Sequence, residues 1–270
     1  MRDIGASLRV NPIESFDLSS IVSPFVWYRL LGAGAQADAG GNGPSLAEGN
    51  TAPAVGNLAL DFAADTYYAN ASNDAHLTQI CDMSNWTDGA SFIAAFTAVI
   101  PTTPSAALFV AQWGMDNVNA GWNIAISTAR EIQLKWFRLG ASGALQQQNF
   151  IDPTPSPDVR VSFAIEQYLS DDDTLQCVVY ANGSQVGSLT DIDLSANSGT
   201  QVGAVEQQLT VGARRTAVST YQAYYGATAG SELSNLFLCR LATRDATLPQ
   251  ELSAWWADHP YEAPRLMEGR

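Results

Sequence analysis

Short apolar or alternating segments, separated by Gly, Pro, Asn and Ser, recur along the whole chain. The clearest unit is the pair Asn182-Gly183, which stands between the segments 175–181 and 184–189. Asn-Gly readily adopts the positive φ angles of a tight hairpin turn, so the pair predicts two antiparallel strands in a fixed register. Roughly a dozen such segments with turn residues between them predict an all-β fold, a single antiparallel β-sandwich or jelly roll.

The segments differ in their predicted exposure to solvent and in their predicted secondary structure. Residues 131–136 alternate strictly between polar and apolar side chains, which predicts a strand with one wet face. Residues 69–88 and 191–205 lack a clear period and are predicted as loops, whereas a short C-terminal helix begins at Leu248. One of Trp255 and Trp256 should fasten this helix to the sandwich and leave the other as a partner surface. The predicted strands cover residues 21–31, 57–62, 91–100, 106–113, 122–127, 131–138, 159–168, 175–181, 184–189, 209–213 and 233–241.

Composition limits the class of protein and its partners. Hydrophobic residues make up 46% of the chain and charged residues 15%, which is typical of a folded domain. The net charge of −14 and the single lysine, Lys135, argue against a nucleic-acid partner, because phosphates are neutralised by Lys and Arg. Residues 1–20 show no apolar run of a secretory signal, and no apolar stretch is long enough to span a membrane. We expect an N-terminal arm over residues 1–20, one domain over 21–260 and a tail over 261–270.

The three cysteines, Cys81, Cys177 and Cys239, are widely spaced and form no CxxC pair. This pattern speaks against a disulfide framework or a structural zinc site. Cys177 and Cys239 lie in apolar strand patterns, where free cysteines pack as small hydrophobic residues. A disulfide between them stays open at this point, because it depends on whether their strands are neighbours.

The chain carries no recognisable catalytic motif. A retaining glycosidase needs two carboxyl groups about 5–5.5 Å apart. On the strand predicted at 131–136, the residue two positions after Glu131 is Gln133, so that face of the strand carries only one carboxylate. Asp191 and Asp193 have the right spacing but fall in a predicted loop. The two histidines, His76 and His259, do not stand in a serine-hydrolase or zinc-ligand pattern. The sequence therefore predicts a protein that is not an enzyme.

The sequence offers better candidates for ligand binding than for catalysis. Sugar rings stack on aromatic side chains while their hydroxyls need polar partners, so loops that combine both are candidates. Calcium prefers oxygen ligands from Asp, Asn and backbone carbonyls, which residues 116–119 offer, with a plain solvated loop as the alternative. The candidate calcium ligands are Asp116, Asn117 and Asn119. The candidate carbohydrate-binding residues are Trp86, Trp113, Trp122, Tyr221, Tyr224 and Tyr225.

Three segments resemble one superfamily. The last of them joins a Leu-Thr-Val-Gly-Ala strand at 209–213 to Tyr225-Gly226, a strand at 236–241 and a helix with Glu251-Leu252. The others are the 38–43 loop, Asp-Ala-Gly-Gly-Asn-Gly, and the hairpin around Asn182-Gly183. Together they resemble the concanavalin A-like lectin/glucanase superfamily in its laminin G-like branch. The resemblance implies a jelly roll over roughly residues 22–260 and a calcium ion at the rim of the sandwich, as some of these domains hold.

The C-terminal stretch LPQELSAWWADHPYEAP is similar to the end of this jelly roll in bacteriophage virion proteins. That resemblance implies a tail-tip, fibre or head-surface component, made in the host cytoplasm without a signal peptide and located in the virion. The implied partners are other virion proteins, further copies of the chain and a host-surface glycan. The alternative is a purely structural decoration or baseplate protein that binds only protein neighbours. A glycoside hydrolase is a third, less favoured hypothesis.

Overall fold

The computed structural model of the chain describes secondary structure in two main sheets, one hairpin and two helices. The structure describes residues 24–32, 34–41, 43–49, 54–55, 60–61, 66–82, 87, 89–104, 107–114, 121–137, 146–150, 158–170, 174–193, 207–217, 220–222, 232–260 and 262. The predicted N-terminal arm at 1–20 lies outside them, and most of the predicted 261–270 tail does too.

The first sheet has eight antiparallel strands. Six of its strands pair in the order β13-β12-β11-β6-β17-β4, with β3 beyond β4 and β1 pairing the other half of β17. Its strands are β1 (Phe25–Tyr28), β3 (Ala54–Val55), β4 (Leu60–Asp61), β6 (Ser91–Val99), β11 (Arg160–Leu169), β12 (Thr174–Ala181), β13 (Ser184–Asp193) and β17 (Glu232–Leu241).

The second sheet has seven antiparallel strands in the order β10-β9-β8-β7-β14-β5-β2. A separate hairpin follows β14 and consists of β15 (Arg214–Ala217) and β16 (Thr220–Gln222). The strands of the second sheet are β2 (Ala47–Glu48), β5 (Tyr68–Ala69), β7 (Leu108–Trp113), β8 (Gly121–Ile126), β9 (Ile132–Phe137), β10 (Gln146–Phe150) and β14 (Leu209–Val211).

One apolar core fills the space between the two sheets. Alternate residues of each strand enter it, such as Phe96 and Phe163 from the first sheet and Ile124 and Leu134 from the second. The Trp136 indole N–H also crosses this core and donates to the Gln167 side-chain oxygen over 2.7 Å. The prediction of a two-sheet antiparallel sandwich is therefore confirmed.

The C-terminal helix α2 (Leu248–Asp258) covers the outer face of the eight-stranded sheet. Leu252 and Trp256 are buried against Phe237 and Ile93, whereas Trp255 is only partly buried. The prediction that one of the two tryptophans fastens the helix to the sandwich is therefore confirmed, and a partner surface at the other stays a prediction. The Asn182-Gly183 turn is also confirmed, since both φ angles are positive, at 47° and 81°. The Gly183 N–H donates to the Ser253 hydroxyl over 3.0 Å, which ties the turn to the helix.

Several elements differ from the sequence prediction. Helix α1 (Ala75–Cys81) lies in the stretch predicted as a loop, and the Asp74 carboxylate caps it by accepting from the Leu77 N–H. Residues 191–193, also predicted as a loop, extend β13. The hairpin β15–β16 lies after the predicted 209–213 strand, in a stretch for which the sequence predicts a loop. In each case tertiary pairing or a capping residue extends regular structure beyond the apolar pattern.

The three cysteines are free and buried. Cys177 faces the core between the sheets, whereas Cys239 lies under α2 on the opposite face. Strands β12 and β17 are separated by β11 and β6, so a disulfide between these two residues is ruled out. Burial raises the pKa of the Cys177 thiol well above its ordinary value, which makes the thiolate scarce.

Candidate functional site

The outer face of the seven-stranded sheet carries a row of polar side chains at one level. The register places Thr210 of β14 opposite Gln112 of β7, Gln112 opposite Asn123 of β8, and Asn123 opposite Lys135 of β9. We call these four residues the polar row. Their neighbours along the strands, such as Trp122 and Ile124, point into the core, so the row lies on the other side of the sheet.

A bulge in β7 sets which residues join this row. The pairing with β8 shifts between Phe109 and Ala111, so that both Val110 and Ala111 face the core. After this extra residue the alternation places Gln112 on the outer face and Trp113 inside. The bulge thus aligns the Gln112 carboxamide with Asn123 on the neighbouring strand.

Gln112 is fully paired. Its side-chain oxygen accepts from the Arg215 N–H over 3.0 Å, and its side-chain nitrogen donates to the Arg215 carbonyl over 3.1 Å. One carboxamide therefore binds a donor and an acceptor of the same residue, and it fixes β15 against β7. Gly212, at φ 86°, precedes the hairpin and allows the chain to turn from β14 back over the sheet.

Asn123 carries the same chemical group without any partner. Its side chain is 1% exposed, and neither its nitrogen nor its oxygen has a hydrogen-bond partner. Leaving a buried polar group unpaired costs about 1–3 kcal/mol, so proteins rarely do it without a reason. Asn123 is therefore the residue of the polar row to which a bound ligand would supply the missing hydrogen bonds.

The aromatic candidates predicted from the sequence fall elsewhere. Trp113 and Trp122 are 0% and 1% exposed in the core, and the Trp122 indole N–H donates to the Cys81 carbonyl over 3.0 Å. These two rings cannot offer a stacking face to a sugar, so their assignment to a binding surface was wrong. Trp113 and Trp122 lie in β7 and β8, the strands that carry Gln112 and Asn123. Gln112 comes one position before Trp113 and Asn123 one position after Trp122, so these two polar residues face outward. Tyr221 lies in β16.

The remaining predicted site residues lie outside the described part of the chain. They are Trp86, Tyr224 and Tyr225 for carbohydrate, and Asp116, Asn117 and Asn119 for calcium. Among the residues that the structure does describe, no three acidic, His or Cys side chains form a group that could hold a metal ion. Calcium binding by the loop between β7 and β8 stays a prediction.

A second polar cluster lies on the outer face of the eight-stranded sheet. Glu166 of β11 is fully buried, and both of its oxygens accept from Arg244, from Nε over 2.9 Å and from Nη2 over 2.8 Å. The Arg244 guanidinium lies 3.6 Å from the centre of the Tyr168 ring. Burial raises the pKa of the Glu166 carboxyl and Arg244 lowers it. This pair fixes the segment that leads into α2 to the sheet.

Sequence comparison identifies no relative of this chain. No family model matches it, and neither does any curated protein. Among the described residues, no helix has the length and apolar character needed to cross a membrane.

Structure comparison does find similar folds. The binding domain of botulinum neurotoxin DC, solved in complex with rat synaptotagmin II, has a TM-score of 0.55 at 10% identity, over 87% of this chain and 51% of that one. A botulinum neurotoxin serotype D binding domain also has a TM-score of 0.55, at 9% identity, over 87% and 50% of the two chains. A Trypanosoma rangeli sialidase has a TM-score of 0.51 at 11% identity, over 86% and 32%. The chain thus spans about half of each toxin domain, and the likeness shows an all-β, lectin-like jelly-roll fold.

Proposed function

We propose that this chain is a non-enzymatic binding domain of a bacteriophage virion, at the tail tip, a fibre or the head surface, and that it attaches the particle to a host-surface glycan. The observation that carries this proposal is the unpaired Asn123 carboxamide within the polar row. Sugar hydroxyls donate and accept hydrogen bonds, and a carboxamide does both. The Asn123 carboxamide therefore has hydrogen-bonding chemistry that suits a carbohydrate.

Two further observations support a binding role over catalysis. Both oxygens of the buried Glu166 are occupied by Arg244, so this carboxyl is not placed as a glycosidase acid. Several of the proteins with similar folds are described as binding domains, and one of them was solved in complex with rat synaptotagmin II. A shared scaffold carries different sites in different proteins, so this second point adds support only for the type of role.

The alternative is a purely structural virion protein that binds protein neighbours and further copies of itself. It is favoured by the C-terminal end of α2, where the partly buried Trp255 stacks on His259 with 3.8 Å between ring centres. Partly exposed aromatic residues are typical anchors of protein interfaces. On this alternative, the helix rather than the polar row is the main contact surface.

A glycan-array screen of the purified chain, with calcium and then with a chelator, separates these functions. We expect binding to one class of host-surface glycan. Binding that needs calcium would support the predicted ligands Asp116, Asn117 and Asn119, and binding that persists in chelator would show that recognition does not need calcium. A folded protein that binds no glycan in either condition would contradict the adhesion function and favour the structural one.

A further inference from the structure

The turn between β12 and β13 carries a residue pair that can change its own covalent structure. In an Asn-Gly pair the backbone nitrogen of the glycine can attack the carboxamide carbon of the asparagine, because glycine has no side chain to hinder the approach. Asn182 and Gly183 form such a pair, and Asn182 is exposed. The hairpin needs both residues, since their φ angles are positive. The fold therefore keeps a reactive pair at the surface.

Hydrogen bonds hold both reacting groups. The Asn182 side-chain oxygen accepts from the Ser162 N–H over 2.9 Å. The Gly183 N–H has to lose its proton before the nitrogen can attack, and it donates to the Ser253 hydroxyl over 3.0 Å. A hydrogen-bonded N–H reacts only after a local opening has released it. The nucleophile of the reaction is therefore held by a residue of α2, 70 positions away in the chain.

Further contacts make this hold depend on the docking of α2. The Gln250 side-chain nitrogen donates to the Gly183 carbonyl over 2.9 Å. The Ser253 hydroxyl donates to the Gln250 carbonyl over 2.9 Å, which leaves the hydroxyl oxygen to accept from the Gly183 N–H. A Cβ on Gly183 would lie 2.8 Å from the Ala254 Cβ, so α2 rests directly on the turn. When α2 lifts away, the Gly183 nitrogen loses the Ser253 hydroxyl.

We propose that Asn182 is a site of spontaneous deamidation and that the docking of α2 sets its rate. The Gly183 nitrogen gives its proton to hydroxide and attacks the Asn182 carboxamide carbon, and the new C–N bond closes a cyclic imide. The carboxamide nitrogen takes up a proton from water and leaves as ammonia. Water then opens the imide at one of its two carbonyls and gives aspartate or isoaspartate. Water and hydroxide are the only co-reactants.

The isoaspartate product should weaken the contact that slowed its formation. Its backbone runs through the side-chain carbons and is longer by one carbon atom, which changes the geometry of a two-residue turn. The turn then no longer presents the Gly183 N–H and carbonyl to Ser253 and Gln250 at the same time. The aspartate product keeps the normal backbone and an oxygen for the Ser162 N–H. On the isoaspartate branch, a reversible opening of α2 thus becomes permanent.

The test follows deamidation by peptide mapping while the purified protein is incubated in mildly alkaline buffer. A second Asn-Gly pair, Asn42-Gly43, is the internal reference. Ser253→Ala should accelerate deamidation at Asn182 roughly two- to tenfold, the factor expected for the loss of one hydrogen bond, and leave Asn42 unchanged. Gln250→Ala is the matched control, because it removes the neighbouring bond and keeps Ser253. It should change the rate at Asn182 by less than about twofold.

Two outcomes with the variants would overturn the proposal. Equal acceleration by Ser253→Ala and Gln250→Ala would show that the Ser253 hydroxyl does not hold the nucleophile. A parallel rise at Asn42 would assign the effect to global unfolding. The wild type alone gives a test that no folding defect can disturb: Asn182 should deamidate roughly tenfold or more slowly in the folded protein than in urea, since two hydrogen bonds hold the pair. Equal rates in the two states would overturn the proposal.

The consequence for α2 has its own readout. Hydrogen–deuterium exchange compares the purified isoaspartate form with Asn182→Asp, which has the added charge on a normal backbone. Exchange in α2 should be faster in the isoaspartate form and close to the wild type in Asn182→Asp. Unchanged exchange in α2 of the isoaspartate form would overturn the coupling between the turn and the helix.

Discussion

Replacing Asn123 by leucine should make the protein more stable, which is unusual for a buried polar residue. The wild-type side chain leaves one donor and one acceptor buried without partners. Each such group costs about 1–3 kcal/mol, and leucine removes both at nearly the same volume. Allowing for imperfect fit, we expect a gain of about 1–3 kcal/mol in the free energy of unfolding. That gain corresponds to a rise in Tm of roughly 2–10 °C for a domain of this size.

The matched control is Gln112→Leu, which makes the same chemical change one strand away. Here the amide is paired, so its loss leaves the N–H and the carbonyl of Arg215 without their partner. We expect a loss of about 2–4 kcal/mol in the free energy of unfolding. Urea denaturation of both variants beside the wild type measures the difference. A loss of stability in Asn123→Leu as large as that in Gln112→Leu would refute the reasoning, because it would show that Asn123 is paired in the folded protein.

Two further predictions concern the scaffold. Gly43→Ala should destabilise the fold by about 1–3 kcal/mol, because a Cβ at this position would lie 2.3 Å from Val26 Cγ1. Gly32→Ala is the control: nothing lies within 4 Å of its Cβ, so this variant should be close to neutral in the same urea titration. Arg244→Met should cost about 3 kcal/mol at neutral pH, because it leaves the buried Glu166 carboxylate unpaired. Burial already raises the pKa of Glu166 and Arg244 lowers it, so the variant's carboxyl titrates higher still. Its stability deficit should therefore shrink as the pH falls through that titration and grow as the pH rises; a deficit that does not depend on pH would contradict this.

The sandwich was predictable from sequence because its signals are local. The Asn182-Gly183 turn sets one hairpin, and the alternation around Lys135 sets one wet strand face. Helix α1 could have been found from Asp74, a capping residue just before Leu77 and Ile80. The fold class therefore follows from patterns that a few neighbouring residues carry.

The candidate site was harder to predict, because it depends on which face each residue takes. In a strand, a shift of one position exchanges the core for the surface, and the β7 bulge shifts β7 by that amount. The sequence predicts Trp113 and Trp122 as binding residues, whereas the side chains that face the outer side of the sheet are Gln112 and Asn123, which are themselves buried. The pairing of Gln112 with Arg215 joins residues 103 positions apart, which no local pattern reveals.

The most direct test of the account is to locate the bound glycan by hydrogen–deuterium exchange with the array's strongest binder. We expect slower exchange in β7, β8 and β9, where the polar row lies. Protection confined to α2 and the outer face of the eight-stranded sheet, with β7 and β8 unchanged, would contradict the central claim that the polar row is the binding surface.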